Sequence, residues 1–257
     1  MKIITANVNG IRSAAKKGFF EWLASQRADF VCLQETKAQL CQLTDQIFSP
    51  EGYQYYCSEA TKPGYSGVAI YSKHKPLSVV KTLGWPIADQ EGRYIQLDFP
   101  CLSVASLYLP SGTSSPERQA VKFDFLRQYE ESLKKINKLR NEWVICGDWN
   151  IVHKEIDIKN FKSNQKNSGC LPEERAWMDK VFTKIGLIDG FRVFNQAAEE
   201  YTWWSNRGQA WTKNVGWRID YQVITAGLAK VVKQAEIYKK QRFSDHAPVV
   251  IEYEFSL

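Results

Sequence analysis

Three apolar, strand-like runs of the chain end on oxygen-bearing side chains. In "TANVNG" the alternation of an extended chain puts Ile4, Ala6 and Val8 on one face and Thr5, Asn7 and Asn9 on the other. "VCLQETK" closes on Glu35, whose charge is costly inside a core and sensible at its rim. In "VICGDWN" Asp148 and Asn150 share a face, Trp149 points the other way, and Gly147 lets something approach the backbone. "RFSDHAPVVIEYEF" sets Asp245 and His246 just before a final β-branched and aromatic run, with Pro248 between. Oxygen donors without a Cys/His cluster select a hard cation. One or two carboxylates with waters and a substrate phosphate is how Mg²⁺ is normally held.

The chain has 3 histidines, and His74 in "YSKHKP" and His153 in "NIVHKEI" read as solvated loop residues. His246 is therefore the candidate for proton chemistry. Asp245 is a poor partner for it, because adjacent residues of an extended chain point to opposite sides, so the orienting carboxylate should come from another strand. Asp220, charged within the strand-like "RIDYQVIT", is the best-placed supplier. Each residue has a plainer account taken singly. Asn7 and Asn150 suit turns, Glu35 suits a surface, Asp220 suits a bridge to Arg218 or a lysine, and Asp245 suits a turn cap. Five rim residues of one chemical type at the ends of apolar strands argue against five separate accidents.

"YTWWSNRGQAWTKNVGWRIDY" adds equipment of another kind. It carries Trp203, Trp204, Trp211 and Trp217 among Arg207, Lys213 and Arg218, with no helix or strand period. Aromatics interleaved with cations can stack on bases or an exposed sugar while holding phosphates, although some of the four belong in the core. Trp217, beside Gly216, is the first choice to face a substrate.

These residues need strands alternating with helices to carry them. "MKIITANV", "DFVCLQE", "SGVAIYS", "RYIQLDF", "LSVASLYLP", "WVICGDWN", "RIDYQVIT" and "APVVIEYEF" read as strands, and "KKGFFEWLASQ" as an amphipathic helix. A long helix starts after Ser115 with Pro116 in first position and Leu126, Tyr129, Leu133 and Ile136 on one stripe. A second starts near Pro172, buries Trp177, Met178, Val181, Phe182 and Ile185, and stops at Gly186. The class is α/β, with two sheets packed face to face and helices outside.

With 257 residues, 44% of them hydrophobic, the chain can bury a full core, and no linker divides it. Its net charge of +6 is spread along the chain, which suits a surface facing a polyanion. The 6 cysteines form no C-x-x-C pair and favour a reducing compartment. With no signal-type segment and no apolar run of membrane length, a bacterial-type cytoplasmic protein, unattached to membranes, is expected. No apolar heptad suggests a coiled coil, so a monomer is expected.

Taken in order, "NVNGIR", "LQETK", "GYSGVAIYSK", "GDWNIVHKEIDIKN", "NVGWRIDY" and "SDHAPV" resemble the motif set of the exonuclease III family of abasic-site endonucleases, within the endonuclease/exonuclease/phosphatase superfamily. The resemblance runs from residue 2 to residue 253. It implies a single domain over residues 1–257, a deoxyribonuclease I-like four-layer sandwich of two mixed β-sheets with helices on the outer faces and the active site at one rim. It implies hydrolysis of the phosphodiester 5' to an abasic site in duplex DNA, dependent on Mg²⁺ with Mn²⁺ as substitute, and some 3'-exonuclease or 3'-phosphodiesterase activity on damaged 3' ends. Carried over, Glu35 is the principal metal carboxylate, with Asn7, Asp148, Asn150 and Asp245 near the metal. Asp148 positions or deprotonates water, Asn150 holds water or phosphate, His246 oriented by Asp220 donates to a phosphate oxygen, and Tyr108 in "YLPSG" stabilises developing charge. Trp203 and Trp217 wall the pocket for a baseless sugar, and Arg12, Lys37 and Tyr65 contact DNA backbone. Arg207 is a candidate wedge into the duplex. Ser111 stands where many relatives carry Asn or Gln, so the grip on phosphate there differs. Three alternatives remain at this stage: a 3'-end processing enzyme with little abasic-site incision, a superfamily phosphatase acting on inositol lipids, and a DNA-binding module with a dead site. The phosphatase leaves the tryptophans and spread charge without a use, and the dead-site module leaves the rim residues without one.

Overall fold

In the computed structural model, which describes residues 1–136 and 138–257, two mixed six-stranded sheets face each other. The first contains β1 (Lys2–Asn7), β2 (Phe30–Gln34), β3 (Gln54–Ser58), β4 (Val68–Ser72), β13 (Val232–Ile237) and β14 (Val249–Tyr253), in the order β13-β14-β1-β2-β4-β3. The second contains β5 (Ser78–Val80), β6 (Tyr94–Asp98), β7 (Leu102–Tyr108), β8 (Glu142–Asp148), β9 (Ile188–Asp189) and β12 (Asp220–Ile224), in the order β5-β6-β7-β8-β12-β9. β1/β2 and β7/β8 are parallel, and the other pairs are antiparallel. The aromatic stretch, which shows no period in sequence, forms a short ribbon of β10 (Trp203–Trp204) and β11 (Gly216–Trp217).

The alternation of each strand divides its apolar residues between two cores. Ile3, Cys32 and Ile70 meet Leu97, Val104 and Val144 between the sheets. On the outer face of the first sheet, Ile4, Val31 and Leu33 take Phe19, Phe20 and Leu23 of the helix Phe19–Gln26. On the outer face of the second, Leu107, Ile145 and Val223 take Phe125, Tyr129 and Leu133 of the helix Pro116–Ile136. The result is the expected four-layer α/β sandwich. Each fully buried Leu or Phe contributes about 1.5–3 kcal/mol to holding the layers together. The other helix, Pro172–Lys180, runs on through a π-type turn to Ile185 and stops at Gly186 in the left-handed conformation, φ 84°. Trp177, Met178, Val181 and Ile185 are buried as expected, whereas Phe182 is only half-buried.

The rim residues come together through register. Tyr108, at the end of β7, lies opposite Asp148 of β8, and Asp148 lies opposite Asp220 of β12, so three polar side chains fall in one row on one face. Asn7 ends β1 beside Gln34 of β2, and Glu35 follows with φ 51°, a left-handed residue that turns the chain out of the sheet. Gly147 admits a close backbone approach, as its position suggested. A Cβ there would sit 2.3 Å from the Leu107 carbonyl, so it is the neighbouring strand, not a substrate, that requires glycine.

Candidate active site

Asn7 is the hinge of the centre. Its Nδ2 donates to Glu35 Oε1 at 2.8 Å and to Asp148 Oδ2 at 2.8 Å, joining carboxylates from the two sheets, and its Oδ1 accepts the Asn9 N–H at 3.0 Å. His246 approaches from the other side, with Nε2 3.9 Å from Asp148 Oδ2 and Nδ1 2.9 Å from Asp220 Oδ2. Asp220 is thus the carboxylate on His246, and Arg218 pairs instead with Asp157 and Asp189. Ser244 fixes the turn that delivers the histidine: its Oγ donates to the Asn7 carbonyl at 2.6 Å and accepts the His246 N–H at 2.9 Å. Asp245 points the other way, accepting from Asn9 Nδ2 at 2.8 Å and from Trp203 Nε1 at 3.2 Å.

The charge pattern follows from burial and neighbours. Burial, with Asp220 and Glu35 nearby, pushes the Asp148 carboxyl up from its ordinary 3.8 to about 7, although His246 and Asn7 pull it down. Burial works against a charged His246, but Asp220, with Asp148 and Asp245 behind it, outweighs burial and raises its pKa to about 10. Burial likewise opposes ionisation of Glu35, yet Lys37, whose Nζ lies 2.7 Å from Oε2, and Asn7 hold it below its ordinary range. Burial, followed by Glu35, keeps the Tyr108 phenol protonated.

Glu35, Asp148 and His246 bring ligand atoms within 4.8 Å of one another. Two carboxylates and no thiolate suit a hard divalent ion. The imidazole, held as a cation by Asp220, suits an anion rather than a metal. Asp245 lines the same pocket as these three, with Asn9 and Trp203 donating to its two oxygens. Asn7 turns its NH₂ to the carboxylates, and Asn150 commits Nδ2 to the Leu109 carbonyl at 2.9 Å and its N–H to Asp148 Oδ1 at 2.9 Å.

An open pocket of about 820 Å³ leads down to this cluster, lined among others by Tyr108, Ser111, Asn150, Trp203 and Trp217. The two indoles stand edge to face, their centroids 5.8 Å apart, as register partners across the ribbon. Trp204 is buried with Nε1 on Asn214, and Trp211 packs against it under Arg242, so these two are structural.

The chain is similar over its whole length to proteins of one kind. The sequence profile of the Endonuclease/Exonuclease/phosphatase family matches residues 4–246. An exodeoxyribonuclease of Bacillus subtilis (strain 168) is 41% identical, over 97% of this chain and 98% of that protein. A DNA-(apurinic or apyrimidinic site) endonuclease of Dictyostelium discoideum is 36% identical, over 97% of this chain and 69% of that protein. The chain belongs to the Endonuclease/Exonuclease/phosphatase family. Among solved structures, an AP endonuclease from Archaeoglobus fulgidus superposes with a TM-score of 0.89 at 28% identity, covering 99% of this chain and 100% of that one.

At one rim of the paired sheets this chain gathers Asn7, Glu35, Tyr108, Asp148, Asn150, Asp220 and His246, all singled out in the sequence. Other expected residues lie outside the pocket. Arg12 and Lys37 line a separate groove of about 640 Å³ with Lys16, Lys37 linking it to the centre through Glu35. Tyr65 is packed under Arg93 and Arg118, which both donate to its hydroxyl. Arg207 is exposed on the turn beyond β10 and does not line the pocket. Of the two remaining histidines, His74 is solvated as expected while its Nε2 meets Asp29 at 2.9 Å, whereas His153 is largely buried against Phe182 with Nε2 2.9 Å from Asp179. Sequence reasoning missed Arg93, which is buried before β6, donates to the Tyr108 carbonyl at 3.0 Å and stacks 4.6 Å from its ring. An isolated arginine ahead of a strand gives no signal of this.

Proposed function

We propose that the protein is a DNA repair endonuclease that hydrolyses the phosphodiester 5' to an abasic site in duplex DNA, with 3'-exonuclease or 3'-phosphodiesterase activity at the same centre. The observation that carries this reading is the pocket walled by Trp203 and Trp217 and floored by the Glu35–Asp148–His246 cluster. A nucleotide without a base has lost its stacking and pairing, so extruding it costs less than the few kcal/mol of an intact one. Indole walls then favour a bare sugar over one carrying a base.

Glu35 and Asp148 would hold Mg²⁺, with Mn²⁺ as substitute, and the ion would supply positive charge to a phosphate that already repels hydroxide. The chain's own groups do the rest. Asp148 takes a proton from the attacking water, and Asn150, whose N–H is bonded to Asp148, helps to place that water. His246, cationic under Asp220, donates to a phosphate oxygen, and the Tyr108 phenol, held by Arg93, donates to charge developing on the phosphate. As the new P–O bond forms, the bond to the 3' oxygen breaks and the leaving oxygen takes a proton from solvent water, giving a 3' hydroxyl and a 5' phosphate on the abasic residue. The groove of Arg12, Lys16 and Lys37 holds duplex backbone.

The test is incision of a labelled duplex carrying one stable abasic analogue, with Mg²⁺ and with chelator, beside an intact duplex and a recessed 3' end. Magnesium-dependent cutting on the 5' side, lost in Glu35→Ala, is expected. If the lesion stays whole while 3'-terminal groups are removed, the protein is a 3'-end processing enzyme and the role given to Trp203 and Trp217 is wrong.

A further inference from the structure

Beneath the pocket lies an ion pair with no part in the chemistry above. Lys122, on the helix Pro116–Ile136, and Glu174, on the helix Pro172–Lys180, are fully buried and meet at 2.5 Å. Such a pair is a poor source of fold stability, because desolvating both ions offsets their attraction and neutral residues of similar size often serve as well. Its hydrogen bonds show what it holds. Lys122 Nζ donates to the Asn150 carbonyl at 2.8 Å. Glu174 Oε2 accepts the N–H of Gly169 at 2.6 Å and of Leu171 at 3.1 Å, and Oε1 accepts from Gln119 at 3.1 Å.

Both gripped segments face the pocket. Asn150 sits in the left-handed region at φ 51°, a strained conformation that needs support. Gly169, at φ 92°, approaches so closely that a Cβ would lie 3.0 Å from the Asn150 carbonyl and 3.0 Å from the Trp217 ring. The turn that backs the Trp217 ring and the carbonyl of Asn150 are therefore both tied to one buried pair.

We propose that Lys122 and Glu174 are positioning residues: Lys122 fixes Asn150 beside Asp148, and Glu174 fixes the Gly169 turn that backs the Trp217 ring. Trp217 as a wall for a sugar rests on the abasic-site reading, whereas the hold on Asn150 does not.

The test is the double substitution Lys122→Met/Glu174→Gln, which removes both charges, keeps the volume and leaves an amide oxygen for the Gly169 N–H. The melting temperature should stay within a few degrees of the parent, while kcat for abasic-duplex incision falls roughly 10- to 100-fold, the scale of a small misplacement of reacting groups. In an Asn150→Ala background the same double substitution should cost less than it does alone, since the part of its effect that runs through Asn150 is already cut. A lowered melting temperature with kcat retained would make the pair merely structural, and losses that multiply with Asn150→Ala would show that it acts elsewhere. If the parent does not incise abasic duplex, the same cycle is read on nucleotide release from a recessed 3' end. There, persistence of the non-additivity supports the hold on Asn150 with the sugar-wall role of Trp217 withdrawn, and its absence overturns the proposal.

Discussion

Asp148→Asn should make the metal-free protein more stable while removing its activity. A carboxyl raised from its ordinary 3.8 to about 7 carries a penalty of about 4 kcal/mol on its ionised form. The sign follows from the raised value: the group's contribution to stability is intact below about pH 4 and is lost progressively as the pH rises to about 7. Asparagine resembles the neutral acid, so it escapes this penalty. It cannot accept from both Asn7 Nδ2 and the Asn150 N–H as the two carboxylate oxygens do, which takes back about 2 kcal/mol. The net gain at pH 8 is then about 2 kcal/mol, or about 4–8 °C in melting temperature for a chain of this size. At pH 5 the wild-type penalty falls to about 2 kcal/mol and the advantage disappears. The assay is thermal unfolding in chelator at both pH values, beside abasic-duplex incision, which should fall by roughly 10²–10⁴ if Asp148 is the base. A variant no more stable than the parent at pH 8, or equally favoured at pH 5, would refute the claim that like charge and burial strain this carboxylate.

The same reasoning reaches His246 and the basic groove. Because Asp220 overcomes burial to raise His246 to about 10, the cation persists through neutral pH and is lost as the pH rises through that value. Asp220→Asn should therefore pull the alkaline limb of the kcat/KM profile down by about 1–3 pH units, and an unmoved limb would show that His246 is not the titrating donor. If the groove of Arg12, Lys16 and Lys37 contributes to about six phosphate contacts, affinity for duplex should fall roughly a thousandfold between 50 and 200 mM salt. Arg12→Ala should lower the log–log salt slope by about 1. A salt-independent affinity would leave the groove without its assigned partner.

What was legible in the sequence was whatever alternation governs. Asn7, Asp148 and Asn150 could be placed on the polar face of a strand end because a period of two fixes facing, and Asp220 could be paired with His246 because Asp245 had to point away. Lys122 was not legible. In "AVKFDFL" it stands among residues of an amphipathic helix, where lysine ordinarily faces water, and only the approach of Glu174 from a second helix makes burial tolerable. His153 escaped for the same reason, since its partner Asp179 is brought to it by packing, and Arg93, although it pairs with the nearby Glu91, meets Tyr108 only through packing. The Trp203–Trp217 contact was hidden because two-residue strands have no measurable period.

The division of labour between the sheets explains why the centre needs both. Register alone makes the second sheet set two carboxylates, Asp148 and Asp220, directly opposite each other on a buried face. Like charges so placed destabilise a ladder. The compensating groups come from the first sheet: the Asn7 amide at the end of β1 and the His246 imidazole just ahead of β14. Glu35 also comes from the first sheet, and the Asn7 amide and Lys37 compensate it in turn. Asp220 still keeps one buried oxygen without a protein partner among the described residues. The acidic row is therefore tolerable only when the sheets are docked, and its remaining excess of negative charge suits a site completed by a cation. The interface that buries the apolar core is thus the same one that assembles the chemistry.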